Sequence, residues 1–354
     1  MKGSLSGRSD YAYAFEYFDY LTPKALYYLQ DNDVKARVAQ KPFTSKTTTG
    51  EKNFVPGTIV IPVHYQTVSP DELYKLLNEA AAQANINIYA ISDGFSVAGI
   101  DLGSNNIRVL KKPVVATITG GSANWTSVGE LWSLLGNTLN IPLSKIDIQA
   151  FARTDLSKYT SIVLSGAGNQ FTPELVTRLT NWVEGGGTLI ATGSAAQWVI
   201  TSKLATGFRT DSTARTTPRA NANEALQQGG RGFGERISGA ILRAELNTQH
   251  PLAYGFTSKD FYTLKNSVLG LPRPAVSNNI ILETTSGEPV NGYVAPTLQP
   301  RLKNNPIIVV ANRGRGSIVL FGESPTFRGY WLAPGRILTN AIFFGYLSSG
   351  GGRY

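Results

Sequence analysis

The sequence predicts an α/β protein of two three-layer units, each a parallel sheet covered by helices on both faces. Three observations lead to this prediction. Short apolar runs alternate with helices that open on a cap followed by proline, as at Ser69-Pro70 and Thr172-Pro173. This alternation occurs twice, with a break at Lys111-Lys112-Pro113. The chain has 354 residues, 42% of them hydrophobic, which is enough for two cores. Strands joined through helices form parallel sheets with covered faces.

The first predicted unit, residues 1–112, has the order βαβ, loop, βαβ. The aromatic run from Tyr11 to Phe18 favours a strand, and Pro23 favours a helix that runs to Gln30. Lys, Thr and Gly residues make 44–53 an exposed loop. The other predicted elements are strands at 34–39, 57–62 and 86–91 and a helix at 73–84.

The second predicted unit, residues 113–347, repeats the pattern of the first about a hundred residues further on. Ile59-Val60-Ile61 matches Ile162-Val163-Leu164, and Ser69-Pro70 matches Thr172-Pro173. Its predicted strands are at 113–118, 145–149, 161–165 and 188–192, and its predicted helices are at 127–139 and 173–183.

The composition of the chain changes after Trp198. Residues 201–234 are polar and are predicted to form an insertion loop. A loop of this length is typical of a flap or a flexible insertion. Further strands are predicted at 237–246, 279–283, 307–311 and 317–321, the last two joined as a hairpin through 312–316, followed by a helix at 336–347. The tail, 348–354, is predicted to be disordered.

Composition excludes several classes of function. The chain has no cysteine, so it has no disulfide and no thiolate nucleophile. The net charge of +9 is dispersed, without a basic stripe, so no nucleic-acid partner is expected. No apolar run is long enough to span a membrane, and the first ten residues have no signal-peptide core. His64 and His250 are the only histidines and have no metal-binding spacing, so no metal ligands are expected.

The stretch from Thr188 to Trp198 has the pattern of a strand followed by a sharp turn into a helix. Small residues around Ser194 suit a nucleophile elbow, and His250 is a conceivable partner for a serine nucleophile. The alternative is that Gly193-Ser194 only caps the helix. The glycine turn with Gly166 and Gly168 follows a neighbouring strand and has the composition of an anion-binding nest or of an ordinary tight turn.

A second segment, Glu323 to Trp331, holds three aromatic residues. It predicts either a binding lip or an ion pair between Arg328 and Glu323 that anchors the last loop.

The second unit resembles the class I glutamine amidotransferase-like fold, and both units are expected to be flavodoxin-like. In that family the elbow carries a cysteine in the pattern C-x-G-x-Q. Alignment on Gln197 places Gly193 at the cysteine position and Ala195 at the glycine position. The resemblance therefore implies a fold without glutaminase activity and no catalytic residue. Gly166, Gly168, Gly193, Ser194 and His250 remain candidate binding residues.

The whole order of motifs is similar to the C-terminal region of bacterial zinc carboxypeptidases. The motifs are YAYAFEY from 11, PGTIVIP from 56, GIDLGS from 99, KKP from 111, GGGTLI from 185, ISGA from 237, HPLA from 250 and FRGYW from 327. The resemblance implies a non-catalytic accessory region of a secreted or periplasmic protein, with the peptidase domain as partner and a peptide as substrate. The zinc of that family belongs to the peptidase domain, which this chain does not contain. Two other functions stay open: a serine hydrolase or amidase using Ser194 and His250, and a peptide- or glycan-binding module using 201–234 and the lip.

Overall fold

The protein folds around two nine-stranded sheets. The computed structural model describes residues 3–121, 123–166, 171–209, 237–267 and 270–349. The first sheet is formed within residues 4–109 and the second within residues 115–321, so the strand pairing changes between Val109 and Val115. No helix within the described ranges is long and apolar enough to cross a membrane.

The first sheet is covered by two helices whose ends are set by local sequence. Ser69 caps the second helix by accepting from the Glu72 N–H at 3.2 Å, and Asn85 ends it in a left-handed conformation. The strands are β1 Ser4–Leu5, β2 Ala12–Phe15, β3 Arg37–Ala39, β4 Phe43–Thr47, β5 Gly50–Phe54, β6 Ile59–Pro62, β7 Asn87–Ile91, β8 Ala98–Gly99 and β9 Ile107–Val109, and the helices are α1 Thr22–Asp31 and α2 Pro70–Ala84.

Strand pairing in the first sheet differs from the parallel arrangement predicted for it. The order is β5-β4-β7-β2-β6-β3-β9, and every pair along it is antiparallel; β1 alone pairs in parallel, with β7. The order β7-β2-β6-β3 is that of the ferredoxin-like split βαβ motif. Each helix does return the chain in parallel, but a strand of the other βαβ unit lies between the two strands that the helix connects. Hydrophobic pattern does not reveal that insertion.

The helices of the first unit lie on one face of its sheet, so the predicted third layer of helices is absent among the described residues. Leu26 of α1 and Leu77 of α2 pack with Phe15 and Ile61 on one face. The other face is covered by the β4–β5 hairpin, where the Phe43 and Phe54 rings stack at 4.9 Å. The predicted exposed loop at 44–53 is therefore wrong: its Lys and Thr side chains alternate along a hairpin, with Ser45 and Thr47 turned inward.

Among its described residues, the second unit has nine strands and six α-helices. Its strands are β10 Val115–Thr119, β11 Leu143–Asp147, β12 Ser161–Ser165, β13 Thr188–Thr192, β14 Ile237–Leu246, β15 Asp260–Lys265, β16 Ile280–Val294, β17 Pro306–Arg313 and β18 Gly316–Phe321. Its helices are α3 Trp125–Trp132, α4 Ile148–Phe151, α5 Pro173–Glu184, α6 Ser194–Thr201, α7 Gln299–Leu302 and α8 Leu332–Phe344. A π-helical segment, Ser133–Thr138, continues α3.

The second sheet confirms the prediction for this unit. Strands β11-β10-β12-β13-β18 are parallel, in the flavodoxin-like order 2-1-3-4-5, and the strands β17-β16-β14-β15 extend the sheet in antiparallel fashion. Helices α5 and α6 cover one face, and α3 and α8 cover the other. The unit therefore has three layers with the expected C-terminal strands added.

The two sheets share one hydrophobic core. The cluster that contains α1 and α2 continues into α3 and α8 of the second unit. At this junction the buried guanidinium of Arg336 donates to the carbonyl oxygen atoms of Asp19, at 2.6 Å, and of Tyr17. The Asn340 amide also donates to the carbonyls of Leu252 and Tyr254 at 2.9 and 2.8 Å.

Two predicted flexible regions fall partly within the described residues. Of the insertion predicted at 201–234, residues 210–234 lie outside them, and Phe208 forms an isolated bridge with Pro274. The predicted disordered tail is wrong for its first two residues, because Ser348 and Ser349 end a 3-10 helix. There the Ser349 hydroxyl donates to the Arg315 carbonyl at 2.9 Å. Residues 350–354 lie outside the described part.

Candidate functional site

The candidate site lies where the parallel strands of the second sheet end. Strands β10, β12 and β13 are each followed by a glycine with positive φ: Gly120 at 83°, Gly166 at 79° and Gly193 at 55°. The strand order reverses between β10 and β12, which is the place where ligands bind in open α/β sheets. The loops after these strands thus converge on one edge.

Gly193 forms the apex of the elbow between β13 and α6. Its φ of 55° and ψ of −123° lie outside the left-handed helical well, so a residue with a Cβ atom would be strained there. Nucleophile elbows store this kind of strain. The Gly193 N–H donates to the Phe321 carbonyl at 2.8 Å, which ties the turn to β18. A Cβ added at Gly193 would meet no atom within 4 Å, so the space for a side chain is open.

Ser194 is the first residue of α6 and is exposed to solvent. Ala195 and Ala196, which follow it, are fully buried against the sheet. Ser194 therefore stands one residue beyond the apex, in ordinary helical backbone, while the apex itself carries a hydrogen atom as its side chain.

His250 lies away from the elbow. Within the described residues, the segment that follows His250 packs with α8 on one face of the second sheet, whereas α6 packs on the other face. His250 is 3% exposed, and its Nδ1 accepts a hydrogen bond from the Leu252 N–H at 3.2 Å. The structure does not bring Ser194 and His250 together as a nucleophile and its base.

Burial determines the protonation state of His250. Desolvation lowers the pKa of its imidazole to about 4. The side chain is therefore neutral at physiological pH, as its role as a hydrogen-bond acceptor at Nδ1 requires.

The glycine turn after β12 is described only in part. Gly166 has the positive φ that its turn requires, and Gly168 lies outside the described residues. The Ser165 carbonyl just before the turn accepts from the Asn124 N–H at 2.9 Å, and the Asn124 side chain caps α3. The turn is thus joined to the first turn of α3 across the edge of the sheet.

A buried ion pair joins the end of β15 to the loop after β18 and was not predicted from the sequence. Lys265 at the end of β15 is 0% exposed, and its Nζ lies 2.9 Å from Oε1 of Glu323, two residues after β18. The Ser267 hydroxyl donates to the same oxygen at 2.7 Å. The signal that could have revealed it is alternation, since Phe261, Thr263 and Lys265 all face inward along β15.

The predicted ion pair between Arg328 and Glu323 is wrong. Glu323 bonds Lys265, while the Arg328 side chain lies over the Phe327 ring. The last loop is held instead by Glu130 of α3, whose carboxylate accepts from the Arg328 N–H at 2.6 Å and from the hydroxyls of Ser324 and Thr326 at 3.3 Å. This clamp places the lip beside α3.

Exposed aromatic side chains accompany the lip. Trp125 at the start of α3 is 62% exposed and Tyr330 of the lip is 56% exposed.

Among the described residues, no group of three or more His, Asp or Glu side chains is placed to hold a metal ion.

Comparison with known proteins gives a likeness of fold at low similarity. No protein-family model matches the sequence, and no curated protein matches it. A ThuA-like protein from Parabacteroides merdae is 14% identical over 59% of this chain and 77% of its own, with a TM-score of 0.37. A protein named as a GMP synthase component from Thermoplasma acidophilum is 10% identical over 67% of this chain and 96% of its own, with a TM-score of 0.38. A β-galactosidase from Bacillus circulans is 15% identical over 64% of this chain and 30% of its own, with a TM-score of 0.32. At these values the likeness carries no inference about function.

Proposed function

We propose that this chain is a non-catalytic accessory region of a secreted or periplasmic zinc carboxypeptidase, which supports the peptidase domain or recruits its peptide substrate. The observation that carries the proposal is Gly193. It gives the elbow the backbone of an active-site turn and offers no reactive atom at its apex. The association with a carboxypeptidase rests on the resemblance of the sequence motifs.

The packing of two of these motifs against each other supports a structural role for this chain. Gly57, in PGTIVIP, has a φ of 93°, and a Cβ there would lie 2.7 Å from the Cβ of Tyr254, which directly follows HPLA. These two motifs therefore meet at the junction between the units. Glycine at that contact allows close packing, which an accessory region requires in order to present a rigid surface.

The test joins this chain to the zinc carboxypeptidase domain that the proposal requires. Release of C-terminal residues is measured for that domain alone and for the joined protein, on a long peptide and on a blocked dipeptide. We expect the joined protein to process the long peptide at lower KM and the dipeptide at an unchanged rate, since only the long peptide reaches beyond the catalytic domain. Stoichiometric zinc binding together with C-terminal cleavage by this chain alone would refute the proposal.

A second candidate function is a peptide- or glycan-binding module. The observation that favours it is the exposure of Trp125 and Tyr330, since aromatic faces in water are common in recognition surfaces. Peptide and glycan arrays probed with the wild type and with a Trp125→Ala, Tyr330→Ala double variant test it. A ligand retained by the wild type and lost by the variant is expected; identical array profiles would exclude this surface.

A further inference from the structure

The pairing of β10 with β12 stops before either strand ends. Their register runs only to Thr117 and Val163, whereas β10 stays paired with β11 through Thr119 and β12 stays paired with β13 through Ser165. The Thr117 hydroxyl donates to the Val163 carbonyl at 3.0 Å, at the point where this pairing stops. The last two residues of β10 and of β12 therefore form the walls of a crevice. It lies where the strand order reverses, the place where ligands bind in open α/β sheets.

Ser165, the last residue of β12, has a buried hydroxyl that lacks a hydrogen-bond partner. Ser165 is 4% exposed, and no described residue bonds to its Oγ. Val163, two residues earlier, packs on the face of the sheet that α3 covers, and Leu164 packs on the opposite face. Side chains alternate along a strand, so the Ser165 hydroxyl points to the side of α3. An unpaired buried hydroxyl costs free energy, which indicates that a bound group completes its hydrogen bonding.

The first turn of α3 lies beside Ser165. The Asn124 N–H donates to the Ser165 carbonyl at 2.9 Å, which joins the chain after β10 to the end of β12. The Asn124 side chain accepts from the Ser127 N–H at 3.1 Å, while the N–H groups of Trp125 and Thr126 have no partner within the helix. These N–H groups and the positive end of the helix dipole attract a negatively charged oxygen. The hydroxyl and the helix thus supply donors to one place.

The charges beside the crevice favour a ligand with a single negative charge. Asp147, the last residue of β11, is in register with Thr119, and its Oδ2 lies 2.6 Å from the position that a Cβ of Gly120 would occupy. Glu130 lies in the next turn of α3, where it holds the lip. These two carboxylates repel a dianion, such as a phosphate monoester, more strongly than they repel a monoanion.

We propose that this crevice binds the carboxylate group of a small molecule. The carboxylate accepts hydrogen bonds from the Ser165 hydroxyl and from the N–H groups at the start of α3. The site uses neither Gly193 nor Ser194, and it does not depend on the accessory role.

The probe is acetate, titrated into the full chain at neutral pH while sodium chloride keeps the ionic strength constant. The tryptophans are labelled with the NMR-active nitrogen isotope, so that the backbone amide of Trp125 reports on the start of α3. We expect this amide signal to shift saturably with acetate, while that of Trp182 at the end of α5 does not move. Inorganic phosphate, titrated in the same way, should bind more weakly than acetate.

Two serine variants of β12 separate binding from structure. Ser165→Ala should weaken acetate binding by about tenfold, the effect of one hydrogen bond to a charged group. Its unfolding midpoint without acetate should be equal to that of the wild type or higher, because no hydrogen bond is lost. Ser161 at the other end of β12 is equally buried, and its hydroxyl donates to the Ile342 carbonyl at 3.4 Å. Ser161→Ala should therefore lower the unfolding midpoint and leave acetate binding unchanged.

Several results would overturn the proposal. They are a Trp125 shift that does not saturate or that follows total salt, acetate binding that survives Ser165→Ala, and a lower unfolding midpoint for Ser165→Ala, which would show that its hydroxyl is already bonded. Tighter binding of phosphate than of acetate would overturn the assignment to a carboxylate.

Discussion

The imidazole of His250 serves as a buried hydrogen-bond acceptor for the Leu252 N–H. It is not placed to act as a base for Ser194. The sequence has two histidines, and only His250 follows the possible elbow. The sequence alone therefore suggests His250 as a base for Ser194. Burial is what distinguishes the two roles, and burial depends on the packing of α8, which is distant from His250 in the sequence.

The protein should become less stable as the pH is lowered, because His250 is protonated more readily in the unfolded chain. In the unfolded chain the imidazole has a pKa near 6.5, and in the folded chain its pKa is about 4. Between these values the unfolded state binds more protons, so the free energy of unfolding decreases as pH falls, by roughly 2–3 kcal/mol in total. His250→Asn keeps a side-chain acceptor and does not titrate. Urea unfolding at pH 7, 5.5 and 4 should show the wild type losing stability relative to the variant; a constant difference would contradict the account.

Breaking the buried Lys265–Glu323 pair should destabilise the protein strongly. Removing one partner leaves a desolvated charge, so Glu323→Gln is expected to cost about 3 kcal/mol in the free energy of unfolding. The matched control is the exposed pair of Arg8 and Asp71, where Asp71→Asn should change the free energy of unfolding far less, because solvent screens that pair. Denaturant unfolding measures both, and equal losses would show that burial of the inner pair has no effect.

At the scale of elements, the elbow is the part of the site that the sequence predicted best. The apolar run of β13 and the small residues after it define a strand, a turn and a helix within one local stretch, and the structure places Gly193 at the apex. Lys265 could not be assigned to the same edge, because β15 is separated from β18 in the sheet by β17, β16 and β14, and the sequence does not reveal that order. The local sequence pattern does not determine this tertiary placement.

The order of the strands could likewise be predicted from the sequence in one unit and not in the other. The flavodoxin-like order of the second unit agrees with prediction because consecutive βαβ units lie side by side there. In the first unit β6 lies between β2 and β3, and its pairing is antiparallel to both. Both units contain two βαβ repeats with similar hydrophobic runs, so the hydrophobic pattern alone could not separate the two strand orders.

Substitution at the elbow should reveal its backbone strain. Gly193→Ala meets no atom, yet it should lower the free energy of unfolding by about 1–3 kcal/mol because alanine disfavours φ 55° with ψ −123°. The control is Gly129 in the interior of α3, where a Cβ also meets no atom. Gly129→Ala should stabilise the protein by about 0.5–1 kcal/mol. Equal effects of the two substitutions in thermal unfolding would contradict the strained elbow.

At the scale of the whole molecule, the shared core predicts that the two units unfold together. Helices α1, α2, α3 and α8 belong to one hydrophobic cluster, and Arg336 ties α8 to the end of β2. Calorimetry should therefore show one transition, with a calorimetric enthalpy close to the van 't Hoff enthalpy. Two resolved transitions would show that the units are independent and would weaken the idea of a rigid accessory body.

Covalent labelling shows whether the elbow lacks a nucleophile. The purified chain is incubated with a fluorophosphonate, which modifies activated serine hydroxyls, and its intact mass is then measured. Because Gly193 occupies the apex and Ser194 lies in plain helix away from His250, the predicted mass is unchanged. A stoichiometric adduct that disappears in Ser194→Ala would show that Ser194 is an activated nucleophile and would favour the serine hydrolase instead.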